Sequence, residues 1–132
     1  MESRKVNILG TEYKIFFGTA DEYEELRAMD GYTDSSNHTI VVDDMSKTSG
    51  EVGTKKDLES YKKSVVRHEI IHAFLSESGL ATNSNQSEAW AVNEEMVDWF
   101  AIQSPKIFKV FVELGILENN ENSRNNGYIG IA

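Results

Sequence analysis

The sequence predicts a small α+β domain on three observations: short alternating apolar segments confined to residues 5–43, longer helical patterns after residue 57, and turn-forming residues between them. With 132 residues, 39% of them hydrophobic, and a single proline, the chain suits one modest core and leaves no length for a second. The domain is expected over residues 1–117. Residues 118–132 are asparagine-rich, have little to bury, and are expected to form a polar, flexible tail.

Each element has its own local warrant. Val6 and Ile8 alternate before a Leu9-Gly10-Thr11-Glu12 turn, and Tyr13, Ile15 and Phe17 alternate after it, which predicts a hairpin from Lys5 to Phe17. Asp21 to Met29 suits a short polar helix. Gly31-Tyr32-Thr33-Asp34 then leads through Ser35-Ser36-Asn37 into the β-branched run Thr39-Ile40-Val41-Val42-Asp43, so a third strand and a fourth are expected. Asp44 to Thr54 reads as a loop. Asp57 or Ser60 can cap a helix that runs to Glu77 and stops at Gly79; its middle, Val65 to Leu75, is apolar almost all the way round, which predicts a buried helix. A second helix from about Ser87 to Gln103 should end before Pro105, with Lys106 to Leu114 forming a short third helix that turns Ile107, Val110, Phe111 and Leu114 inward.

Composition narrows the function classes. The net charge of -9 is spread over both halves and would repel a phosphate backbone, so nucleic acid is a poor partner. Lys55, Lys56, Lys62, Lys63 and Arg67 are the local exception; Lys56, Lys63 and Arg67 would share one helix face, read as solvated and supported by a Glu59 and Lys63 pair. No stretch approaches the roughly 18 consecutive apolar residues that span a bilayer, and the first residues carry no signal-peptide pattern, so no membrane partner and a cytoplasmic location are expected. The chain has no cysteine, which excludes disulfides, thiolate metal sites and cysteine nucleophiles. Any metal must be held by carboxylates and by three histidines.

Two of those histidines stand in His68-Glu69-Ile70-Ile71-His72, an H-E-x-x-H motif in the middle of the predicted buried helix. The chain's own composition would produce that pattern by chance only about 0.005 times. Residues four apart share a helical face, so the two imidazoles can converge on one cation, while Glu69 stays within reach of a metal-associated water without being a ligand. The alternative is a pair of core histidines satisfied by hydrogen bonds. That alternative leaves Glu69 among Val65, Val66, Ile70, Ile71, Phe74 and Leu75, where an uncompensated carboxylate is costly and a divalent cation, zinc foremost, would offset the cost.

A third ligand is needed. The extension with a third histidine fails, since Leu75 and Ser78 stand where glycine and histidine are required. The second helix offers Glu88, Glu94, Glu95 and Asp98. At 100° per residue, Glu94 and Asp98 share a stripe flanked by Ser87, Trp90, Ala91, Val97 and Ala101, whereas Glu95 falls with Glu88 and Gln103. Glu94 is therefore expected on the packed side as the third metal ligand, with Glu95 as its competitor. Asp98, one turn on, would accept the other ring proton of a ligating histidine. A solvated acidic helix face is the alternative to both.

Taken together, His68-Glu69-Ile70-Ile71-His72 and Asn93-Glu94-Glu95-Met96-Val97-Asp98 resemble the gluzincin arrangement, in which H-E-x-x-H on one helix is completed by N-E-x-x-x-D on the next. The order of strands, loop, H-E-x-x-H helix and glutamate helix is similar to the minimal zincin domains of the ImmA/IrrE-like and SprT-like groups. Gly31-Tyr32-Thr33-Asp34, Arg67 to Phe74 and Asn93 to Trp99 also look like segments of small metallopeptidases encoded by phages and prophages. The likeness spans roughly residues 5–112.

The resemblance implies a small antiparallel or mixed sheet packed on the H-E-x-x-H helix and a glutamate-bearing second helix. It implies a zinc-dependent metallopeptidase with His68, His72 and Glu94 as ligands and Glu69 as general base, which would then protonate the leaving amine. The substrate would be a protein or peptide, laid along an exposed strand edge for which Thr39 to Asp43 is the candidate. An oxyanion donor is also implied, and His38, Tyr32, Tyr61 and Tyr128 are the available groups, none singled out by spacing. The competing function is a zinc-stabilised protein-binding regulatory module without peptidase activity. A nucleic-acid-linked peptidase is opposed by the net charge.

Overall fold

A computed structural model describes residues 3–47, 57–83 and 94–118. Strands β1 (Arg4–Ile8) and β2 (Thr11–Gly18) form the expected antiparallel hairpin, with Val6 opposite Tyr13. Its two-residue turn places both Leu9 and Gly10 at positive φ, 52° and 96°, as a turn matched to the twist of the flanking strands requires. The Asn7 side chain steadies that turn by accepting the Gly10 N–H at 2.8 Å.

A single 3₁₀ turn at Glu24–Arg27 takes the place of the polar helix expected over Asp21 to Met29, with Leu26 its buried residue. β3 (Gly31–Asp34) and β4 (Thr39–Asp43) then pair antiparallel, and β4 lies parallel to β2, so the four-stranded mixed sheet has the order β1-β2-β4-β3. β4 is thus flanked on both sides and cannot be the open edge that the sequence suggests. Among the described residues the sheet has two edge strands, β1 and β3, and β3 is the one packed most against α1.

Helix α1 (Leu58–Glu77) begins where Asp57 accepts the Ser60 N–H at 3.0 Å, so Asp57 is the cap and Ser60 is its donor. It ends at Ser78, whose N–H reaches the Phe74 carbonyl, with Gly79 beyond it at φ 84°. Contrary to the expectation of a helix buried all round, α1 has one covered side. Val65, Val66, Ile70, Ala73 and Phe74 pack against Ile8, Tyr13, Ile15, Ile40 and Val42 of the sheet, while His68, Ile71 and His72 face outward. Lys62, outside the face that Lys63 and Arg67 share, lies on the covered side and is only 8% exposed. Glu59 pairs with Lys62 rather than with Lys63.

The C-terminal end of α1 is tied to β2 through Glu77, which accepts from Thr11 Oγ1 at 2.9 Å and from Tyr13 OH at 2.8 Å. Burial and that carboxylate hold the Tyr13 phenol protonated well above its ordinary range. A four-residue helix, α2 (Leu80–Asn83), follows α1.

α3 (Glu94–Leu114) is one continuous helix with Pro105 inside it, not two helices separated there. Proline removes one helical N–H and crowds the preceding turn, a cost of about 3 kcal/mol. An apolar seam on both sides of the proline offsets it: Trp99 packs against the core before it, and Ile107, Val110, Phe111 and Leu114 are buried in the core after it. Trp99 Nε1 donates to Ser78 Oγ at 2.8 Å, and Arg67 donates to the Ile116 carbonyl at 2.6 Å, so α3 runs antiparallel to α1.

The approach of α1 to β3 is close enough to require glycine. A Cβ on Gly31 would stand 2.9 Å from Val65 Cγ1 and 3.1 Å from the Val41 carbonyl oxygen. Gly31→Ala should therefore lower the unfolding free energy in urea by about 1–3 kcal/mol. Combining it with Val65→Ala should recover part of that loss, because the nearest clashing atom is then gone.

Candidate metal centre

The helical spacing of the motif does what the sequence predicts for its histidines. One turn apart on the open side of α1, His68 and His72 bring their Nε2 atoms to 3.1 Å, with ring centroids 4.8 Å apart and planes inclined by 68°. Two imidazole nitrogens bound tetrahedrally at about 2.0–2.1 Å from zinc stand roughly 3.3 Å apart, so the pair fits half of a metal site. An N–H···N hydrogen bond between the rings is the other arrangement this distance allows.

Glu69, 100° round the helix from His68, is turned toward β3. It is 5% exposed, and its Oε1 accepts the Thr33 hydroxyl of β3 at 2.8 Å, with the Glu69 carbonyl oxygen 3.0 Å from the same hydroxyl. A neutral hydroxyl therefore satisfies part of a carboxylate for which the sequence suggested a cation alone. Gly31 and Thr33 are the two residues that sequence reasoning missed as parts of the site. Their signal was present as a strand and as the Gly31-Tyr32-Thr33-Asp34 segment of the resemblance, but nothing local says that β3 lies under α1.

His68 and Glu69 nevertheless line one cavity of about 310 Å³, between α1 and the start of β3. Asp30, Gly31 and Tyr61 line it too, and the Tyr61 hydroxyl donates to the Asp30 carboxylate. That hydrogen bond, with burial and the charge of Asp30, raises the Tyr61 phenol above its ordinary range. Of the four oxyanion donors considered from sequence, Tyr61 is thus beside the motif. His38 packs its ring against Tyr13, 5.3 Å between centroids, and Tyr32 lies on β3; Tyr128 falls outside the described residues.

The carboxylates of α3 are placed differently from the expectation. Glu94, Glu95 and Asp98 are all exposed, and among the described residues no group of three or more histidines, aspartates and glutamates is close enough to hold a metal ion. The reason lies in the continuity of α3. Its packed seam is set by Trp99, Ile107, Val110, Phe111 and Leu114, and at 100° per residue Glu94 and Asp98 fall on the opposite side. Residues Glu88, Trp90, Ala91 and Asn93 lie outside the described residues.

Comparison with protein-family models, with curated proteins and with solved structures finds no match for this chain.

The Thr33 to Glu69 hydrogen bond should be measurable on its own. Thr33→Val is expected to destabilise the fold by about 1–3 kcal/mol, because it leaves a buried acceptor unpaired, while Thr33→Ser should cost far less. In a Glu69→Ala background the Thr33→Val loss should shrink markedly, which a urea double-mutant cycle reads directly.

Proposed function

We propose that the chain is a zinc-dependent metallopeptidase, and the observation that carries the proposal is the convergent His68 and His72 pair, of which His68 lines one cavity with the buried Glu69. His68 and His72 supply two nitrogen ligands. Glu94 is assigned as the third, an assignment that requires the first turn of α3 to bring its carboxylate toward the imidazoles. Bound zinc would supply Lewis acidity toward a water and a peptide carbonyl.

The remaining chemistry belongs to the protein. Glu69 takes a proton from the attacking water on its carboxylate and returns it to the departing amine, while Thr33 Oγ1 fixes the orientation of that carboxylate. Tyr61 offers a hydroxyl on the wall of the same cavity. The edge of β3, which has no strand partner among the described residues, begins at Gly31 on that wall and suits an extended peptide added as a further strand, which supports a protein or peptide as the substrate class. Among the described residues no helix is long and apolar enough to cross a membrane. Action in the cytoplasm, on one specific protein and with a phage-encoded origin, completes the proposal on the resemblance of the motifs.

One observation favours a second reading. Glu69 is tied to Thr33 and nearly closed to solvent, as suits a metal-stabilised binding module that acts through contacts.

Protein purified without added metal should carry about one zinc per chain and lose it in His68→Ala and His72→Ala. Glu94→Ala should lose it and Glu95→Ala keep it; the reverse result would transfer the third ligand to Glu95. Glu69→Gln should retain zinc yet cut hydrolysis of a fluorescent casein by about 100–10,000-fold. A biological effect that persists undiminished in Glu69→Gln would replace the peptidase with the binding module.

A further inference from the structure

α1 buries a second charged residue, of opposite sign to Glu69. Lys62 is 8% exposed in a chain of net charge -9, and its ion pair among the described residues is with Glu59 at 3.4 Å, whose own side chain is 67% exposed. Taking an ammonium out of water costs several kcal/mol unless charge and hydrogen bonds compensate, and a single wet partner at that distance compensates little. Asp44 adds a more distant electrostatic contribution. The ammonium stands 6.0 Å from the Phe17 ring centroid, a position a cation occupies over an aromatic face.

Lys62 opens onto a cavity of about 360 Å³, which shares no lining residue with the one beside Glu69. This volume lies at the small end of the roughly 300–1,000 Å³ typical of small-molecule sites. Its walls divide by chemistry: Arg4, Lys62 and Lys63 against the single acid Glu59 on one part, Phe17, Val66 and Leu114 on the other. Arg4 also donates to the Glu113 carbonyl of α3, which holds its guanidinium near this mouth.

We propose that this cavity is a binding site for a small carboxylate on an apolar stem, with Lys62 and its neighbouring cations meeting the carboxylate and Phe17, Val66 and Leu114 enclosing the stem. Three cations facing one acid leave an excess of positive charge for an anion to meet. A bare inorganic anion would gain nothing from the apolar wall, and a neutral apolar molecule would leave Lys62 as poorly paired as before. The site is independent of the metal centre, so its failure and that of the peptidase reading are separable.

The test titrates the full chain with octanoate and, separately, with N-acetyl-leucine, by calorimetry and by amide chemical-shift changes. At least one acid should bind saturably, with shifts centred on Phe17, Lys62, Val66 and Leu114, and octan-1-ol should bind at least about tenfold more weakly. Lys62→Met, which keeps the apolar stem of the side chain, should weaken binding by about 10–100-fold, and Lys62→Arg should restore most of it. Tighter octanoate identifies a lipid-derived acid; tighter N-acetyl-leucine identifies a peptide end. Absence of saturation by either acid up to about 10 mM, far weaker than a built small-molecule site gives, would overturn the proposal. So would affinity unchanged in a Lys62→Met protein that melts as the wild type does.

Discussion

Helix α1 lies against β3 where only a hydrogen atom fits between strand backbone and helix side chain, and that contact at Gly31 fixes the rotation of the helix about its own axis. A helix of nearly uniform hydrophobicity has no strong preference for which side it buries. Once Val65 is pressed onto Gly31, the rest follows from 100° per residue: Glu69 turns inward to Thr33, Ile70, Ala73 and Phe74 enter the core, and His68 and His72 are left together on the open side. The imidazole pair owes its accessibility to a glycine on a different element.

The same rotation gives α1 two buried charges of opposite sign, Glu69 toward β3 and Lys62 toward the hairpin and α3. Neither is neutralised by the other. Glu69 has a hydroxyl partner, Lys62 an exposed carboxylate and an aromatic face, and each opens onto its own cavity. Buried ionisable groups with incomplete protein partners are expensive to keep, and they are found where a ligand completes them. The fold therefore presents two chemically distinct openings on one helix, one lined by Asp30, His68 and Glu69, the other by Arg4, Lys62 and Lys63 with Phe17, Val66 and Leu114.

α3 holds this arrangement in place from the far side. Arg67 reaches the Ile116 carbonyl and Trp99 reaches Ser78, so the helix is fastened to α1 near both of its ends. Its inward seam crosses Pro105 without interruption, and that same seam directs Glu94 and Asp98 outward. The histidines are brought together by α1 alone, whereas the distance of Glu94 from them depends on the register between two helices.

The hairpin turn, the Asp57 cap, the Gly79 stop and the convergence of His68 and His72 were legible because each depends on residues within about one helical turn or one β-turn of one another. Pro105 looks like a helix boundary in sequence, yet the seam of α3 runs through it, and the contacts that set this seam leave Glu94 exposed. The partner of Glu69, the burial of Lys62 and the identity of the open strand edge were not legible at all. The sequence by itself determined which residues share a face. Which face is covered, and by what, was decided only in the tertiary structure, because burial is a property of contacts between segments far apart in the chain.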